Sequence, residues 1–285
     1  MGLFASIVII WQRATIILTG SFESNVFLPW FEVNREIETF SISRPSAFFT
    51  EPAHFCIFIL PILYLSLLRR NHLFSLIFAF SILCSGSTTG FLAVIILLVY
   101  FVSQNSKGKD RARYLVLVFI SGIAALFLII TLMPSIIIEN LNKLQEFDST
   151  STSLRTLGYL SYFKDFGISE ILFGVTLNQL VNYLHYAFRI DEIYNYSNAI
   201  VYMLMSYGII GFLFFVRYLY RLWVTTPRTI RGFIILFLVI LASDQILFNM
   251  HYLYIATLAM MSNQISNSSV KNTNSSKYLK TTIKI

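Results

Sequence analysis

The run Phe91-Leu92-Ala93-Val94-Ile95-Ile96-Leu97-Leu98-Val99-Tyr100-Phe101-Val102 is apolar at every position. A surface helix would break such a run with a polar residue every third or fourth position, and a surface strand would alternate. A segment without either pattern needs lipid or protein on all sides. Apolar blocks recur at residues 3–19, 53–68, 71–86, 88–103, 114–133, 199–219, 230–246 and 248–262. Only 12% of the 285 residues are charged, about half the usual share of a soluble domain. The chain is therefore read as all-α, a polytopic transmembrane helical bundle of about eight spans. Several blocks lie near the lower length limit of about 17 residues for crossing a hydrocarbon core.

The blocks at 71–86 and 88–103 could form one long helix, and charge decides against it. Lys and Arg collect in short cytoplasmic loops. Arg69 and Arg70 precede the first of these blocks, and Lys107, Lys109, Arg111 and Arg113 follow the second. Both clusters can be cytoplasmic only if the chain crosses twice between them, turning at Ser85-Gly86-Ser87-Thr88-Thr89-Gly90. The same alternation puts Arg217, Arg221, Arg228 and Arg231 inside, along with the lysines of the tail. Both termini then face the cytoplasm. Residues 1–262 form the transmembrane domain, with long outer loops at 20–52 and 134–198, and the Ser-, Asn- and Lys-rich stretch 263–285 reads as a disordered cytoplasmic tail.

The formal charge of +7 does not argue for nucleic acid, because the basic residues sit at span ends rather than along a solvated groove. The 27 Phe and 16 Tyr fall mostly in or beside the apolar blocks, as lipid contacts and interfacial anchors do. Cys56 and Cys84 both lie in apolar blocks, which supports neither a disulfide framework nor a zinc site. The first block carries Gln12 and Arg13 at its middle and lacks the order of a cleavable signal peptide. Arg13 is expected to snorkel or to pack against neighbours missing from this chain, with catalysis as the alternative.

Outer loops of this length are usually functional. The second contains an expected amphipathic helix from Leu154 to Phe166. The first ends in Arg44-Pro45-Ser46-Ala47-Phe48-Phe49-Thr50-Glu51-Pro52-Ala53-His54, bringing a guanidinium, a carboxylate and an imidazole to the outer mouth of the second span. This segment resembles the Arg, aromatic, Glu-Pro segment of bacterial O-antigen polymerases, members of the O-antigen polymerase and ligase superfamily. Ala47 stands where that family usually has Gly. Three more segments resemble the family in the same order: Ser85 to Gly90, Ser153-Leu154-Arg155 at the start of the large-loop helix, and Asn198 followed by Gly208-Ile209-Ile210-Gly211. Relatives carry more spans before the first long loop, so this chain resembles their later portion and is expected to polymerise weakly by itself.

The resemblance implies a metal-independent, cofactor-free glycosyltransferase of the bacterial inner membrane with its active face outward. It would move a growing glycan from one polyprenyl diphosphate to a sugar hydroxyl of another lipid-linked repeat. Arg44 and Arg155 are then expected to bind the diphosphate and stabilise its departure, since a planar guanidinium can pair with phosphate at two points. Glu51 and His54 are the nearest candidates for the base, Glu51 being placed in the catalytic set, with Asp165, His185 and Asp191 possible from the second outer loop. Arg189, His54 and Asn198 complete the expected substrate-binding set. The structural alternatives are interfacial anchoring for the arginines, an ion pair with Arg44 for Glu51, and a simple polar span end for His54. Polyprenyl-diphosphate-linked oligosaccharides and membrane lipid are the expected partners, with a flippase and a chain-length regulator beside them. An O-antigen ligase is the nearest rival function, and Ser197, where many relatives have His before the Asn, favours the polymerase. A non-enzymatic transporter, flippase or accessory subunit is the more distant one.

Overall fold

A computed structural model describes residues 1–19, 45–49, 51–105, 166–175, 198–243 and 254–260. Among them every regular element is a helix: α1 (Gly2–Thr19), α2 (Pro52–Leu68), α3 (His72–Ser85), α4 (Thr88–Asn105), α5 (Ile168–Phe173), α6 (Ala199–Thr225), α7 (Arg231–Ser243) and a last helix, α8, over 254–260. The apolar block at 114–133, most of the expected helix 154–166 and the tail lie outside the described residues. The blocks 71–86 and 88–103 are indeed two helices. Gly86 ends α3 in the left-handed region at φ 67, and its N–H donates to the Leu83 carbonyl.

The central element is α2. Nearly every turn of it is buried, from Phe55 through Leu60 to Tyr64 and Ser66. On one side α3 runs antiparallel to it, since Ser66 Oγ meets Ser75 Oγ at 2.8 Å near one end and Cys56 Sγ meets Ser85 Oγ at 3.4 Å near the other. On another side α4 runs parallel to it. Gly90 lies against the Cys56 side chain, where a Cβ would collide, while Tyr64 and Tyr100 both reach the 228–229 turn. Gly232 likewise lets α7 press against the Tyr64 ring, and Phe233 meets that ring edge-on at 4.9 Å. From the last helix, Tyr254 stacks on Phe58 and donates its hydroxyl to the Phe58 carbonyl.

Two described helices, α1 and the Tyr202–Thr225 part of α6, are long and apolar enough to cross a membrane. Helices α2, α3, α4 and α7 are apolar but shorter. At 1.5 Å per residue, the 17 residues of α2 rise roughly 25 Å, short of a hydrocarbon core of about 30 Å. The all-helical part of the expectation thus holds among the described residues, whereas two helices there, rather than about eight, have the length and apolarity of a span.

Candidate functional site

The two ends of α2 differ in chemistry. Tyr64 and Tyr100 donate their hydroxyls to the carbonyls of Thr229 and Arg228, so Arg69, Arg70, Arg228 and Arg231 gather at one end. The opposite end, where α2 begins, carries the motif residues.

Pro52 starts α2 because its fixed φ suits a first helical position and its missing N–H is not needed there. Glu51, just ahead of it, is extended at φ −135 and ψ 152, and its side chain makes no capping hydrogen bond. The carboxylate is exposed at the positive end of the α2 dipole. One turn inward, His54 is half-buried, three positions from Glu51 and so on the same side of the helix start. The two candidates thus lie within one helical turn of each other at the start of α2.

Residues 45–49 form a tight turn ahead of Glu51. Phe49 N–H donates to the Ser46 carbonyl at 2.9 Å, and Ser46 Oγ donates to the Phe49 carbonyl at 2.8 Å. Ala47 is left-handed, at φ 53. That conformation costs an L-residue roughly 1–2 kcal/mol and glycine almost nothing, so a glycine would suit this position better. What holds Ala47 there is Gln12 of α1. Its Oε1 accepts from Ala47 N–H at 2.8 Å, and its Nε2 donates to the Ala47 carbonyl at 3.3 Å.

Arg13, the next residue, donates from Nε to the Cys84 carbonyl at 2.8 Å. It is 3% exposed, facing protein at the last turn of α3, where a cation complements the negative end of the helix dipole. The expectation that Arg13 snorkels is corrected, because the side chain is buried in protein and one of its partners belongs to the chain itself. Gln12 and Arg13 follow Ala5, Val8 and Ile9 on one buried face of α1, an i, i+3, i+4 pattern readable in the sequence.

The adjoining turn is built from serines. Ser87 Oγ accepts from Gly90 N–H at 3.2 Å, which caps α4, and Ser85 Oγ accepts from Ser87 N–H at 3.3 Å. Consecutive residues of α1 therefore hold the 45–49 turn, through Gln12, and the end of α3 just before the 85–90 turn, through Arg13.

Asn198 is buried immediately before α6, and its carbonyl accepts from Tyr202 N–H at 3.0 Å. Helix α6 packs on α5 and α7. Gly208 breaks α6 with φ 63 and ψ −173, and it faces Gly174, also left-handed at φ 81. Each lies so close to the other's backbone that a Cβ on either would collide, and Val175 N–H donates to the freed Met205 carbonyl at 2.8 Å. The sequence shows the Gly208–Gly211 pair, while the α5 contact that needs it joins segments far apart along the chain. Arg44, Arg155, Asp165, His185, Arg189 and Asp191 lie outside the described residues.

Residues 73–216 match the model of the family described as O-antigen ligase. No curated protein and no solved structure matches the chain.

Proposed function

The chain belongs to the O-antigen ligase family, within the membrane-embedded O-antigen polymerase and ligase superfamily, and from that premise we propose that it polymerises the repeat units of a surface polysaccharide. Members of this superfamily act as glycosyltransferases on lipid-linked oligosaccharides. In the proposed reaction, the terminal hydroxyl of one lipid-linked repeat attacks the anomeric carbon of a glycan held on polyprenyl diphosphate. The new C–O bond forms as the bond to the diphosphate breaks, and the diphosphate lipid leaves with the bonding electrons.

Glu51 takes the proton of the attacking hydroxyl. The observation that carries this role is its exposed carboxylate, unused as a helix cap, one helical turn from His54 and just after the anchored 45–49 turn. Arg44 and Arg155 pair with the diphosphate and hold its growing charge, with Arg189, His54 and Asn198 contacting substrate. No metal or other cofactor has a role in this scheme.

Residues 1–262 make up the transmembrane domain, of about eight spans, in a bacterial inner membrane. Both termini are cytoplasmic and the Glu51 end faces outward. The gathering of Arg69, Arg70, Arg228 and Arg231 at the other end supports that orientation. The tail 263–285 extends into the cytoplasm. A flippase delivers the lipid-linked repeats, and a chain-length regulator sets the extent of polymerisation.

The family description favours a second reading, ligation of a finished glycan to a lipid core. Deleting the gene and resolving surface glycan on a gel separates them. Accumulated single repeats support the polymerase and long unattached chains the ligase, whereas an unchanged pattern contradicts both.

A further inference from the structure

Burying a carboxamide in an apolar helix is unfavourable unless both its donor and its acceptor are bonded. Gln12 is 2% exposed and spends both groups on one residue, Ala47, accepting from its N–H at 2.8 Å and donating to its carbonyl at 3.3 Å. Two bonds to the same residue fix the orientation of its backbone as well as its position. The residue so held is left-handed, at φ 53, without being glycine. The turn closed by the Ser46 and Phe49 bonds then runs into Glu51 within a few residues, and Phe48 and Phe49 stack at 4.9 Å on its apolar side.

We propose that Gln12 is a positioning residue for the transfer reaction: its two-point bond to Ala47 sets the 45–49 turn and thereby the placement of the Glu51 carboxylate. Gln12 itself stays away from the substrate. Arg13 holds the Cys84 carbonyl near the end of α3, so α1 supports both the 45–49 turn and the helix that leads into the 85–90 turn. The inference rests on the proposed glycan transfer, because only that reading gives Glu51 a substrate.

Removing the clamp should move the carboxylate without removing it. Membranes from a deletion strain carrying Q12A should show transfer with kcat reduced about tenfold or more and KM for the lipid-linked repeat changed less than about threefold. Glycine adopts the left-handed conformation without help, so adding A47G to Q12A should recover most of the lost kcat when read against A47G alone. A purely structural Gln12 would lower the amount of inserted protein and leave kcat per molecule alone.

Unchanged kcat in Q12A, or a loss that A47G does not relieve, overturns the proposal. Failure of the functional reading looks different: the wild-type gene then fails to restore surface glycan. In that event the clamp is read from thermal denaturation of the full chain in detergent. A lowered midpoint in Q12A that A47G restores upholds the clamp, and equal midpoints refute it.

Discussion

Both ends of the bundle place an arginine on the final turn of a helix, and they do so in different surroundings. At the Glu51 end, Arg13 is buried and donates to the Cys84 carbonyl of α3. At the other end, Arg231 is half-buried. It donates to the Thr226 carbonyl at 3.0 Å, lies 5.2 Å from the centre of the Trp223 ring and turns its remaining surface to solvent. A cation on the carbonyls that end a helix is favourable in both places, although Arg231 is also the first residue of α7, whose dipole opposes it. A half-exposed cation keeps much of its hydration, whereas a buried one loses it and depends on its protein contacts. The polar end with Arg231 has the chemistry of an anchor, in which tyrosine hydroxyls and arginine stems sit on apolar bodies. The other end fixes backbone turns with buried polar side chains, which is the form of a site whose geometry matters.

The largest effect that would sharpen this contrast is chemical. Replacing Arg44 or Arg155 by Lys retains the charge and removes the planar fork, so glycan transfer should fall by roughly a hundredfold to a thousandfold, about 2–4 kcal/mol, with insertion unchanged. Near-normal polymer from both variants would reduce these arginines to anchors, since Lys also snorkels. Next is the paired test of the two helix ends. R13A leaves a buried carbonyl without its donor and should cost about 2–3 kcal/mol of stability, while R231A should cost about 1 kcal/mol or less. Equal denaturation midpoints for the two would break the comparison. Smaller again is Y64F, which deletes one bond to the Thr229 carbonyl. It should cost about 1 kcal/mol and leave transfer per inserted molecule unaltered, and a selective loss of kcat would give the basic end a part in the reaction.

Among the described residues, the helices were legible where the apolar blocks were long. Blocks 53–68, 71–86, 88–103 and 230–246 agree with α2, α3, α4 and α7 to within about three residues, because the same residues that avoid water form the buried faces. Helix α6 runs past the expected end at 219 to Thr225. Charge at Arg217 and Arg221 resembled a span end, yet both side chains are exposed, so nothing forces the helix to stop there. The six residues of α5 went unseen, since a helix this short has no periodicity to read and is set by Glu170 accepting from Gly167 N–H and by Gly174 against Gly208. In the candidate site, Glu51 and His54 were visible through their motif. The role of Gln12 was not, because a bond between residues 35 positions apart leaves no local pattern. Its burial, by contrast, could be read from the face it shares with Ala5, Val8 and Ile9.

The contrast between the two ends matters for function only if they face opposite sides of the membrane. Single cysteines at Glu51 and at Thr229, both exposed, can be tested with an impermeant thiol reagent after the buried Cys56 and Cys84 are replaced by alanine. In intact cells E51C should label and T229C should stay protected until the membrane is opened. Labelling of T229C from outside, with E51C protected, would turn the site toward the cytoplasm and contradict an outward-facing glycan transferase.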